Sequence, residues 1–196
     1  MKRLQVWLMA TLVCTGGCTQ KSSDTHTAAE ATEKKYLTAI DDLSSHPATV
    51  VTFLGPECPL SENYTKTLND LQQQFSGAGV RFIAVFPGAF YSEAAIDSFI
   101  ALYHVQQEIF LDSDFSLVKK LQTTVTPETC IFDSTGKVVY RGAIDNWAVD
   151  LGQKRQVITE FYVREVLQAL LDHTLLPYQK TTPVGCIIET DAHAHH

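Results

Sequence analysis

The stretch Gly55-Pro56-Glu57-Cys58-Pro59-Leu60-Ser61 decides the reading of this chain. An apolar, β-branched run, Thr49–Leu54, leads into it, and a helical pattern leads out. Leu60, Tyr64, Leu68, Leu71 and Phe75 recur every three or four residues, which puts them on one helix face. Pro59 suits the first helical position, where a missing N–H costs nothing. Cys58 therefore stands where a buried strand ends and a helix begins. Unpaired N–H groups and the helix macrodipole favour a thiolate there. Glu57 opposes it by like-charge repulsion.

Outward from this point the pattern alternates. Val80–Phe86 predicts a strand, and Ser92 caps a helix holding Ile96, Phe99, Ile100 and Tyr103. Ile109–Leu111 predicts a short strand and Asp112–Leu121 a short helix. Thr129–Phe132 and Lys137–Tyr140 form a hairpin about the turn Asp133-Ser134-Thr135-Gly136. A last helix covers Val157–Leu171, and a short amphipathic one is expected over Tyr36–Leu43. Strand–helix alternation closed by a hairpin implies an α/β fold, with a mixed central sheet and helices on both faces.

The 196 residues carry 45% hydrophobic and 19% charged side chains, which supports a packed core. The net charge of −7 and the lack of a basic run argue against a nucleic-acid partner. Lys2 and Arg3 precede an apolar run of 11 residues, Leu4–Cys14, too short to span a bilayer. The following Thr15-Gly16-Gly17-Cys18 resembles a bacterial lipobox, with Thr15 departing from the preferred leucine. The expectation is an exported lipoprotein of the cell envelope, membrane-anchored at Cys18 and facing the periplasm or exterior. Residues 1–17 form the signal peptide, 18–36 a polar tether, 37–173 the folded domain and 174–196 a C-terminal tail carrying Cys186.

The element order, with a cysteine at the first strand–helix junction, resembles the thioredoxin-like three-layer fold. Val125-Thr126-Pro127-Glu128 strengthens the likeness, because thioredoxins and redoxins place a cis-proline before the hairpin strand, facing the reactive cysteine. Pro127 matches that position. Tyr140-Arg141-Gly142-Ala143-Ile144-Asp145 and the late pair Gly185-Cys186 resemble a group of exported bacterial redoxin-domain proteins, over about residues 37–190. The resemblance implies thiol–disulfide exchange with protein or small-molecule thiols and disulfides, with no cofactor or metal. Cys58 is then the nucleophile, and Thr126, Pro127, Glu128, Pro59 and Ser61 face the substrate. Two alternatives stay open: a peroxiredoxin-like peroxidase, and a redox-inactive binding module on the same fold.

Two departures shape the chemistry. Ser61 replaces the second cysteine of a Cys-x-x-Cys motif, so a mixed disulfide at Cys58 has no resolving thiol nearby in sequence. Gly55 stands where peroxiredoxins carry a threonine. Cys130 lies about 10 Å beyond Pro127 along its strand, amid core residues, and reads as buried and inert. Cys186 follows the last helix in a loop that can fold back over the domain, and two readings stay open: it pairs with Cys58, in a reversible cycle or as a structural bond, or it is a lone cysteine in a tail. Arg141 and Asp145 are expected to pair, and Glu128 reads as exposed. The terminal His193, His195 and His196 read as a solvated tail.

Overall fold

The computed structural model describes residues 36–190 with the exception of Asp41. The expectations for the signal peptide, for the anchor at Cys18, for the tether up to residue 35 and for the histidine tail fall outside these residues.

Five strands make the central sheet: β1 (Ala48–Phe53), β2 (Arg81–Pro87), β3 (Glu108–Asp112), β5 (Glu128–Asp133) and β6 (Val138–Gly142). Their order is β3-β2-β1-β5-β6, with β1, β2 and β3 parallel and β5 and β6 antiparallel to their neighbours. Packed layers cover both faces of β1, which explains why every residue of it is apolar or threonine. Its side chains alternate. Ala48 and Val50 join one core layer, and Val51 and Phe53 join the other. Thr52 and Thr129 satisfy each other through a buried hydroxyl–hydroxyl bond of 2.9 Å.

Helices α1 (Pro59–Phe75), α2 (Glu93–Leu102) and α4 (Tyr162–Leu171) supply the first layer, and α3 (Ser116–Leu121) the second. The predicted stripe of α1 is the buried one, with Tyr64, Leu68, Leu71 and Phe75 in the core. Leu68 is fully buried, which is worth about 1.5–3 kcal/mol relative to exposure. Ser92 caps α2, its hydroxyl accepting from Ala95 N–H. Asp112 caps α3, accepting from Leu117 N–H, Val118 N–H and the Ser116 hydroxyl.

Two helix expectations need correction. Tyr36–Leu43 is not helical: Leu37 makes a parallel bridge to Phe110 at the sheet edge, its N–H donating to Ile109 C=O at 2.7 Å. A run this short has little helical stability of its own, and Leu37, Ile40 and Leu43 bury their side chains against the second layer instead. The last helix starts at Tyr162 rather than Val157. Asn146 holds the preceding chain non-helical, accepting from Thr159 N–H and donating to the Thr159 hydroxyl and the Glu160 carboxylate.

Four short strands were not anticipated. β7 (Ala148–Asp150) and β8 (Gln153–Lys154) make a small hairpin. β4 (Val125–Thr126) pairs antiparallel with β9 (Cys186–Ile187). The segment after α4 is bound back onto the domain before it reaches β9. Arg141 N–H donates to Gln179 C=O and Thr181 N–H to Arg141 C=O, and a side chain on Gly142 (φ 147°) would overlap Thr181. Among the described residues no helix is long and apolar enough to cross a membrane.

Candidate functional site

Cys58 is the residue immediately before α1, with extended backbone (φ −93°, ψ 111°), so its sulfur sits at the open N-terminal end of a 17-residue helix. The side chain is 2% exposed. Its thiol donates to Thr126 C=O at 3.0 Å, next to the cis peptide Thr126–Pro127. Thr126 in turn is the register partner of Cys186 across the β4–β9 ladder. Ile188 N–H donating to Thr124 C=O extends that ladder. Gly185 is the residue that lets the strand come so close, because a Cβ there would overlap the Thr126 carbonyl. The C-terminal cysteine is thereby brought to the helix-start cysteine, with both thiols free.

The electrostatics differ sharply between the three described cysteines. Burial pushes the Cys58 thiol up, but donors outweigh it: the Cys186 thiol, the Ser61 N–H and hydroxyl, and the Cys186 N–H all reach the sulfur and leave its pKa below the ordinary value. Donors, more than the neighbouring Glu57, set that direction. Cys186 shows the reverse, pushed up to about 12 by burial, by donation to Cys58 and by the Cys58 charge. Of the two, Cys58 is therefore the more acidic thiol. Cys130 is fully buried within β5, its thiol pushed up to about 12 by burial and by the Glu128 charge.

Ser61 and Glu128 are not where the sequence reading put them. Ser61 is fully buried and faces the sulfur from within, its hydroxyl also accepting from Gly55 N–H at 3.1 Å. Glu128 is 3% exposed, accepts from Thr124 N–H, and sits 3.4 Å from the Arg141 guanidinium. Burial raises its pKa above the ordinary carboxylate value. Arg141 therefore pairs with Glu128 and donates to Leu121 C=O, not with Asp145. Asp145 accepts instead from the Tyr64 hydroxyl and from Trp147 N–H, and the Tyr64 and Trp147 rings meet edge to face, 5.4 Å apart. Thr126 and Pro127 are buried under β9, while Pro59 is exposed.

A cleft of about 420 Å³ opens over Cys58, lined among others by Glu57, Tyr91, Thr126, Cys186 and Glu189. A second, of about 350 Å³, lies between Pro59, Leu60, Trp147 and the β7–β8 hairpin, and Cys186 borders that one too. The sequence reading missed Tyr91, Glu189 and the supporting role of Ser61. The signal for Ser61 was its place one helical turn into α1, where its N–H and hydroxyl point back at the helix start.

Comparisons with known proteins agree with this architecture. No curated protein matches the chain. The structure is similar to a hypothetical protein from Sinorhizobium meliloti 1021, with 21% identity over 76% of this chain and 83% of that one and a TM-score of 0.67. It is also similar to an uncharacterized conserved protein from Geobacillus kaustophilus, with 24% identity over 79% and 83% of the two chains and a TM-score of 0.68. A thioredoxin-like protein solved in its oxidized form aligns at 18% identity over 68% and 83%, with a TM-score of 0.52. At these identities the likeness is one of fold, and the fold is thioredoxin-like. The Redoxin family model matches residues 13–150, a stretch that holds Cys58 and Pro127 and stops short of Cys186. With that match over most of its length, this chain belongs to the Redoxin family.

Proposed function

We propose that this protein is an extracytoplasmic thiol–disulfide oxidoreductase in which Cys58 attacks and Cys186 resolves. The observation that supports it most is the β4–β9 ladder, which sets Cys186 opposite Thr126, the residue whose carbonyl accepts from the Cys58 thiol; of the two thiols Cys58 is the acidified one and Cys186 the one pushed up. The Cys58 thiolate attacks one sulfur of a substrate disulfide, forming a mixed disulfide and releasing one thiolate, which takes up a proton. Cys186 loses its proton and attacks the Cys58 sulfur. The Cys58–Cys186 bond forms, the second substrate thiol leaves, and two electrons have passed from protein to substrate. Thr126 lines the cleft beside the reacting sulfur, and the exposed Pro59 follows Cys58 at the helix start.

The export reading rests on Lys2, Arg3, the run Leu4–Cys14 and Cys18, with the tether carrying the redoxin domain clear of a membrane. The same site is less suited to a peroxidase, since Gly55 has no hydroxyl to orient a peroxide. Peptide mapping without reductant, after mild oxidation, tests the pairing. A Cys58–Cys186 linked peptide is the expected product, and two free thiols after oxidation overturn the reading.

A further inference from the structure

Two acids line the cleft over Cys58. Glu57 comes from the residue before the thiol, and Glu189 from the chain just beyond β9. Both side chains are exposed to solvent. Among the described residues no lysine or arginine lines this cleft. Tyr91 lies where the fields meet: burial first, then the charges of Glu57, Cys186, Cys58 and Glu189, push its hydroxyl above the ordinary range. Phe90 and Phe115 add aromatic rings to a lining that also holds Pro87, Ile187 and Ile188. Phe90 is 66% exposed and its ring lies 5.9 Å from that of Phe115. Aromatic faces attract cations, and a cleft of one charge sign draws in its counter-ion.

We propose that the Cys58 cleft selects disulfides and thiols that carry positive charge beside the sulfur, with Glu57 and Glu189 as the specificity-determining residues. The proposal rests on the thiol-exchange reading above and names its substrate class. An anionic disulfide meets two carboxylates on the path to a thiolate. A cationic one meets two counter-charges and aromatic rings. The chain's overall charge of −7 adds to the same bias at longer range.

The test uses three disulfides of similar size: cystamine (cationic), hydroxyethyl disulfide (neutral) and dithiodipropionate (anionic). Each rate with the reduced full chain is divided by its rate with free mercaptoethanol, which removes intrinsic reactivity. Cystamine is expected to lead dithiodipropionate by about ten-fold or more at low salt, the lower end of electrostatic steering. The lead shrinks in about 1 M salt, where the screening length falls to about 3 Å. It also falls to within about two-fold in Glu57→Gln/Glu189→Gln. A disulfide-linked pair of Lys-Cys-Lys peptides, run beside cystamine, separates the two sources of that chemistry: faster exchange assigns basic peptides, slower exchange small amines. Equal normalised rates, or a faster anion, overturn the selectivity and leave thiol exchange standing. No Cys58-dependent reaction with any of the disulfides overturns both.

Discussion

Thr126 and Cys186 face each other across a two-residue antiparallel ladder, and the Thr126 carbonyl is also the acceptor of the Cys58 thiol. One backbone residue thus positions both sulfurs. The geometry depends on Gly185, whose missing side chain leaves room for the Thr126 carbonyl. Gly185→Ala is expected to lift β9 away. Cys58, now 2% exposed, should then alkylate about ten-fold faster, the factor that about 1.4 kcal/mol of easier local opening gives. The yield of Cys58–Cys186 linked peptide after oxidation should fall in step. An unchanged alkylation rate would show that β9 does not cover the thiol.

Gly55 is a packing requirement as well as a departure from peroxidase sequence. A Cβ there would lie 3.0 Å from the Thr126 hydroxyl and 3.3 Å from the Cys58 Cβ. Gly55→Thr should therefore destabilise the fold by about 1–3 kcal/mol, as overpacked sites do, and give no gain in peroxide consumption. Denaturant titration measures the first, and a peroxide assay the second.

The Ser61 N–H and hydroxyl reach the Cys58 sulfur and lower its pKa. Each donor favours the charged form, so removing one raises the pKa. In Ser61→Ala the alkylation-versus-pH curve of Cys58 should move to higher pH, and the rate at neutral pH should fall. In the parent protein that curve should lie below that of an ordinary thiol. Cys186, pushed up to about 12, should stay unreactive until strongly alkaline conditions. A Ser61→Ala curve that coincides with the parent would remove Ser61 from the site.

Asp145 is 3% exposed, and the Tyr64 hydroxyl reaches it at 2.7 Å. Tyr64→Phe takes that donor away and leaves a buried carboxylate short of a partner, which costs about 1–3 kcal/mol. Because Trp147 N–H shares the same carboxylate oxygen and its ring packs on Tyr64, the tryptophan fluorescence should change as well. Loss of stability with an unaltered emission spectrum would mean that the β7–β8 hairpin is held by other contacts.

The sheet and α1 were legible because they are periodic. β1 is a short β-branched run, and α1 repeats its apolar residues at helical spacing over four turns. Cys58 and Pro127 were legible for the same reason, since each stands at a boundary between such elements. Residues whose place depends on distant chain were not. β4 and β9 are two residues each, too short for any alternation to register, and their pairing joins residues about sixty positions apart. Arg141 was expected to pair with Asp145, and only the β5–β6 ladder brings Glu128 beside it. Glu128 looked solvated by composition, yet it is the register partner of Phe53 in the middle of the sheet.

The bonds between Arg141 and the Gln179–Thr181 backbone fix the start of the last stretch of chain. From Thr181 to Cys186 is five residues, which extend to about 17 Å at most. The second sulfur is therefore on a short leash, and its effective concentration at Cys58 is at least in the millimolar range. Closure of the ring becomes nearly independent of how much protein is present. Under the exchange proposed above, an adduct on Cys58 is short-lived while Cys186 is present, and Cys186→Ser is expected to trap the partner as a mixed disulfide.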